Sequence, residues 1–335
     1  MKQTTMILIM MTVLTTNLCA AIITVDINYP SIGDYKTLQE AHDAASSGDT
    51  IYVYPSLTRY DGIHVSKKLT FIGAGYLYDF SVDGVMPSRV SNMYFDSGSD
   101  GSVLKGFEGE KIYVSADDIN ISNNYCTWIY TTTTNVNGLV IMQNKIIGSY
   151  NYAIYIAPQN HALIVNNIII NKYSSSAYCI SLSNETSIYI AHNVLYGLKY
   201  SIFSSESGNK VYGVVINNII HQGSIYNCRT IEYHNNMSYT SFSGFLGSGN
   251  IGNIDMTTVF VDPNPHNYKL KPDSPALAAG VNGEDLGVYG GNAPYVDHGV
   301  GTGLPAIVLL KTPTIIPYGS ATMDVSIKAT SGNTE

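Results

Sequence analysis

One phrase, repeated six times between residues 119 and 236, restricts this chain to a narrow set of folds. It reads Ile119-Asn-Ile-Ser-Asn-Asn124, Leu139-Val-Ile-Met-Gln-Asn144, Ala162-Leu-Ile-Val-Asn-Asn167, Ile188-Tyr-Ile-Ala-His-Asn193, Gly213-Val-Val-Ile-Asn-Asn218 and Ile231-Glu-Tyr-His-Asn-Asn236. Aligned on the final Asn, successive copies lie 20, 23, 26, 25 and 18 residues apart. Self-similarity at such a period belongs to a solenoid, in which each repeat packs on its neighbours, rather than to a globular domain.

The columns of the repeat carry the physics. Three places before the Asn stand Ile121, Ile141, Ile164, Ile190, Val215 and Tyr233, and two places after it stand Cys126, Ile146, Ile169, Leu195, Ile220 and Ser238. Mostly β-branched columns of this kind suit parallel strands with a buried inner face. Asn tolerates positive φ, so the six Asn are expected to make the sharp bend between two strands. Their amides can also bond the equivalent Asn one coil above and below, which predicts a ladder of Asn124, Asn144, Asn167, Asn193, Asn218 and Asn236.

With these residues the chain resembles the right-handed parallel β-helix proteins of the pectate-lyase-like superfamily, over most of residues 35–291. The resemblance implies an all-β right-handed parallel β-helix with a helical cap at its N-terminal end. Residues 35–75 agree. Leu38, Ala41 and Ala45 fall on one face of a short helix, Ser46 to Asp49 is a turn, and Ile51 to Val53 begins a strand. A solenoid needs its open end covered, and an amphipathic helix before the first coil does that. Pectin methylesterases begin similarly, but the following coils hold no counterpart of their Gln, paired Asp and Arg catalytic segments.

Met1 to Ala21 reads as a secretory signal, with Lys2 at the charged end, an apolar run from Met6 to Leu14 and small residues at Cys19-Ala20-Ala21. The run is too short to span a bilayer. The mature chain is therefore expected to be secreted, periplasmic or on the cell surface, as a monomer or surface-attached. A net charge of −8 with 13% charged residues leaves no basic face for nucleic acid. Three cysteines follow the signal, Cys126, Cys179 and Cys228. An odd number argues against a disulfide framework, and Cys126 stands in an inner column as a small buried hydrophobe.

The remaining boundaries follow from punctuation. Residues 22–50 are read as the cap and 51–259 as coils, with one or two looped coils over Tyr76 to Asp100 and a strand over Ser102 to Phe107. About nine coils make a rod of roughly 40 Å. Phe260-Val-Asp-Pro263, Tyr268 to Gly280 and Asp285 to Gly291 resemble the closing segment of exported β-helix proteins. This segment, 260–299, is rich in Pro and Gly, cannot continue the repeat, and is expected to lie across the last coil and seal it. Residues 300–335 offer a short β tail with strands over Ile307 to Leu310 and Met323 to Ala329.

In the resembling family, polysaccharide binds on the sheet formed by the strand that precedes the Asn-bearing one. Alternation turns Ile112, Val114, Ile129, Ile154, Ile156, Ile180, Leu182 and Ile202 inward there, and Tyr113, Trp128, Tyr130, Tyr155, Ser181 and Phe203 outward. The outward set is an aromatic stripe on which pyranose rings can stack, so polysaccharide is the expected partner through Tyr113, Trp128, Tyr130, Tyr155 and Phe203.

Catalytic chemistry is less marked, and three functions stay open: a polysaccharide binder, a lyase or glycoside hydrolase, and a structural or adhesive module. The outward positions of the first strands are read as uncharged. Between Ile119 and Tyr239 the acids are Glu185, Glu206 and Glu232, too few for a calcium cage, so no cofactor or metal is expected. Glu185 and Glu206 follow first strands in neighbouring coils, at a separation of about 5–8 Å that suits paired glycosidase carboxylates. Asp117, Asp118 and His161 occupy comparable turns. Lys145, Lys172 and Arg229 are the cations available as a lyase base. His192, His221 and His234 share no column and show no metal-ligand spacing.

Overall fold

A computed structural model describes residues 20–28, 31–76, 86–204, 210–262 and 267–297, and the backbone of 306–311 and 326–330. Residues 1–19, most of the stretch read above as a signal, and Glu206 lie outside the described residues. The described chain is a right-handed parallel β-helix, each regular coil contributing three strands in turn. Second strands stack in a ten-stranded parallel sheet running from Ile22–Val25 through Thr50–Val53, Leu139–Met142 and Ser187–Ala191 to Glu232–His234. First and third strands belong to a fifteen-stranded sheet. They merge because Val194–Ser204 and Ile219–Tyr226 run without a break through the corner that other coils turn with a loop.

Inside, the apolar columns are continuous. Ile121, Ile141, Ile164, Ile190, Val215 and Tyr233 face Cys126, Ile146, Ile169, Leu195 and Ile220 across one core, all buried. Each fully buried aliphatic side chain stabilises by about 1.5–3 kcal/mol. The inward residues of the first strands, from Ile112 to Ile202, join the same core.

The bend after the second strand divides its work between two residues. Positive φ falls on the residue before the repeated Asn: Asn123, Gln143, Asn166, His192, Asn217 and Asn235 have φ between 49° and 56°. The following Asn keeps an ordinary backbone and makes the ladder, which corrects the reading that one Asn does both. Asn124, Asn144, Asn167, Asn193, Asn218 and Asn236 each donate Nδ2 to the Oδ1 of the next Asn at 3.0–3.1 Å. Each also sends its backbone N–H to that same oxygen, at 2.8–3.0 Å. Asn250 is a seventh rung, and Phe107 donates its backbone N–H to Asn124 at the other end.

Each end of the core is covered. The helix Leu38–Ala44 starts with a capping box between Thr37 and Glu40 and buries Leu38 and Ala41 on the first coils. At the far end Phe242 and Phe245 pack on Tyr233, with ring centres 6.4 and 5.1 Å away. The Pro/Gly-rich segment expected there goes elsewhere. Residues 256–262 and 267–297 fold back along the outside of the third strands, where Met256, Phe260, Tyr268, Leu286, Val288 and Tyr295 bury Ile168, Ile170, Val194, Ile219 and Met237 in a second core. The reason is visible in the later third strands, where outward Ile168, Ile170, Val194 and Ile219 alternate with inward Ile169, Leu195 and Ile220.

The last part of this segment is a strap read by the positive-φ residues of successive bends. Asn235 Nδ2 donates to the Ala279 carbonyl (3.1 Å), the Val281 N–H to Asn217 Oδ1 (2.9 Å), and Asn166 Nδ2 to the Val288 and Gly290 carbonyls (both 2.9 Å). Gln143 Nε2 donates to the Pro294 carbonyl (2.6 Å), and the hydroxyls of Tyr295 and Tyr76 meet beyond it. His192 Nε2 lies 3.1 Å from Glu284. Gly290 and Gly291 pass so close to the His192 ring that a Cβ on either would sit 2.9 Å from a ring nitrogen. In the tail, Ala306–Lys311 and Ser326–Thr330 pair antiparallel.

Candidate functional site

The first strands align residue for residue, so one outward position repeats across eight rungs: His64, Tyr94, Tyr113, Tyr130, Tyr155, Ser181, Phe203 and Tyr226. Rung spacing is close to an aromatic stacking distance, and the rings use it. His64 and Tyr94 stack at 4.2 Å, Tyr94 and Tyr113 at 4.6 Å, and Tyr130 and Tyr155 at 4.7 Å between centres. Beyond Ser181 a second group forms from Tyr178, Tyr200, Phe203 and Tyr226, with Tyr178 and Phe203 at 4.2 Å. Burial among neighbours pushes the phenols of Tyr113, Tyr130 and Tyr152 up, so these hydroxyls stay neutral donors.

Stacking has a cost for recognition. A ring whose faces touch its neighbours offers a ligand its edge and hydroxyl, not its face. On this face Tyr226 is exposed at the last rung, and two further exposed phenols flank the half-buried Trp128 at one corner. Tyr150 lies over the indole at 4.8 Å and is 38% exposed, and Tyr173, 6.1 Å from Tyr150, is 59% exposed. The indole N–H is covered and has no acceptor among the described residues. Trp128, Tyr150, Asn151, Tyr152 and Tyr173 line a cleft of about 190 Å³.

On the other side of Tyr150 a larger cleft, about 440 Å³, is lined by Arg59, Glu108, Glu110, Lys111, Tyr125 and Thr127 among others. Arg59 pairs with Glu110 at 3.2 Å and Arg89 with Glu108 at 3.0 Å, the second pair largely shielded from solvent. Lys111 Nζ rests 4.7 Å from the Tyr150 ring centre and 5.8 Å from the indole. The nearby Tyr150 phenol holds its pKa above the usual lysine value. Lys111 is in register with Trp128 and two residues from Tyr113, so it is an outward first-strand residue. The expectation of an uncharged face is thereby corrected: alternation counted from Ile112 left out the residue before it.

The other residues singled out in the sequence lie apart from this corner. Asp117 and Asp118 hold turns: Asp117 Oδ1 accepts the Asn137 N–H at 2.8 Å, and Asp118 takes a positive φ of 55°. His161 is exposed and its ring has no hydrogen-bond partner among the described residues. Glu185 accepts from Gln159 Nε2 at 3.0 Å and pairs with Lys210 at 3.2 Å. Those bonds, that of Gln159 first, lower its pKa and keep it an ionised turn residue. Its intended partner, Glu206, is outside the described residues, so the pair has no geometry here.

Of the three cations weighed as a base, Lys145 is buried under the strap, and desolvation pushes its pKa down to about 8. Lys172 stacks its ammonium 3.9 Å from the centre of Tyr196, and Arg229 is exposed. Cys126, Cys179 and Cys228 are free, buried, and raised by burial to about 12. Among the described residues no cluster of His, Cys, Asp and Glu can hold a metal, and no helix is long and apolar enough to cross a membrane.

The geometry defines a class by architecture, a parallel β-helix with an aromatic first-strand face and a charged cleft at one corner of it. Comparison adds no narrower identity: no protein-family model matches the chain, and no curated protein matches it significantly.

Proposed function

We propose that this is an exported β-helix protein that binds an extracellular or cell-envelope polysaccharide along its first-strand face, centred on Trp128 and Tyr150. One observation carries the reading: the open aromatic corner flanked by two clefts, on a face where seven of eight aligned outward positions are aromatic. Sugar rings present apolar C–H faces that an exposed phenol accepts, while edge hydroxyls and side-chain amides meet the sugar's own hydroxyls. The rungs continue at a fixed spacing on both sides of the corner, which suits a polymer better than a single sugar. Residues 1–21 support export. To test the reading, the chain from residue 22 is run through gels containing single polysaccharides. Retardation by one polymer, lost in Trp128→Ala and Tyr150→Ala variants that fold normally, is the expected result. No retardation across a broad set removes the proposal.

Cleavage of the bound polymer is a second reading, favoured by the two carboxylates of Glu108 and Glu110 in one cleft. The ion pairs of both match electrostatic stabilisers better than a proton donor. New reducing ends, absent in Glu108→Gln or Glu110→Gln, would establish it; unsaturated ends would point to a base instead.

A further inference from the structure

We infer that the polysaccharide taken at the Trp128 corner is an uncharged one, not a uronate or sulfated polymer. The inference rests on the reading of this face as a polysaccharide site, and it comes from the charge pattern of the cleft. Each cation that lines it already has a partner within the protein. Arg59 is held by Glu110, and Lys111 is held against Tyr150 with Glu110 close enough to be felt electrostatically. Arg89, just behind, is held by Glu108.

An anionic group entering the cleft would have to displace Glu110 from Arg59 or share Lys111 with it. Either way it approaches the carboxylates of Glu108 and Glu110, and with Arg59 paired to Glu110 it is Lys111, held on the Tyr150 ring, that offsets their repulsion, one charge against two. The whole chain, at net −8, adds repulsion at long range. An uncharged sugar pays none of this. It stacks on the exposed phenols of Tyr150 and Tyr173 beside Trp128, and its hydroxyls meet a cleft rich in both donors and acceptors. The pairing also keeps the guanidinium and ammonium groups rigid, so their hydrogen bonds are aimed before the ligand arrives.

A chemical consequence follows for any reaction at this site. β-Elimination needs a sugar proton made acidic by a neighbouring carboxylate or ester carbonyl, and a neutral sugar that is not a uronate or its ester lacks one. Cleavage of the proposed ligand would therefore proceed by hydrolysis and leave saturated ends.

The test compares, for the chain from residue 22, retardation by neutral polymers (dextran, glucomannan, arabinan, xylan) and by uronates (polygalacturonate, alginate), at low and high salt. Expected is retention by at least one neutral polymer, unchanged by salt and weakened about tenfold in Trp128→Ala, a loss near 1.4 kcal/mol. Glu110→Gln, which removes the partner of Arg59, should add salt-sensitive retention on a uronate. Retention on uronates alone, lost at high salt and in Lys111→Met, would overturn the inference while leaving the polysaccharide reading intact. Retention on nothing overturns both.

Discussion

Asn123 and Asn124 are neighbours of the same type with opposite demands on the chain. Asn124 Oδ1 accepts the Phe107 N–H at 3.0 Å, while its Nδ2 serves the carbonyls of Leu104 and Ser122 and the Oδ1 of Asn144. Replacing it by Ala leaves several buried polar groups unpaired, each costing about 1–3 kcal/mol. Asn124→Ala is therefore expected to lose about 3 kcal/mol or more in denaturant unfolding. Asn123 has φ of 55° and makes no side-chain hydrogen bond among the described residues. Gly adopts that conformation without strain, so Asn123→Gly should fall within about 1 kcal/mol of the parent. The reverse ranking would show the bend and the ladder assigned to the wrong residues. The repeated phrase made the position of the bend readable, because six copies share it. Which of two adjacent Asn carries positive φ was not readable, since composition favours Asn for either role.

The strap behaves differently from the coils, and so did its legibility. Coils announce themselves through columns, whereas the strap repeats nothing and is held chiefly by its own carbonyls. Its path along the rod could be read only once Gln143, Asn166, Asn217 and Asn235 were seen to point outward in line. The charged cleft escaped the sequence for a related reason. Arg59 is distant in the chain from Glu108 and Lys111, and Arg59 and Glu108 stand in the third-strand column, so a reading confined to first strands omits both, while Lys111 precedes the residue from which alternation was counted. Tyr113, Trp128 and Tyr130 were accessible because alternation alone turns them outward. Burial of Lys145 beneath the strap supplies a test of how firmly this element sits. The amine titrates near 10.5 when unfolded and is pushed down to about 8 when folded. Folding at lower pH must therefore expel a proton or bury a charge; the cost is complete below pH 8 and fades as pH rises towards 10.5. Lys145→Met is expected to be more stable than the parent at pH 7, by up to about 3 kcal/mol, with the difference shrinking by pH 10. An advantage independent of pH would mean that the amine already reaches water.

In a simple solenoid, stability is a sum of coil and nearest-neighbour terms, so an end can open before the middle. This molecule departs from that picture, because the strap ties the bends at Asn235, Asn217, His192, Asn166 and Gln143 to one continuous segment. Opening the last coil should then require releasing the strap from the coils beneath it. Cys126, Cys179 and Cys228 are spread along the rod, buried and held in the unreactive thiol form, with pKa values pushed up to about 12. Only unfolding exposes them to a thiol reagent, so they report on three coils at once. The intact chain is expected to show no labelling without denaturant and then simultaneous labelling of all three at a single midpoint. Weakening the strap by Glu284→Ala, which removes the contacts to His192 and Asn217, should separate the midpoints, with Cys228 becoming reactive first. If Cys228 already labels ahead of Cys126 in the intact chain, the strap is a passive cover and the coils open independently. A common midpoint in both proteins would place the coupling in the shared core and the asparagine ladder instead.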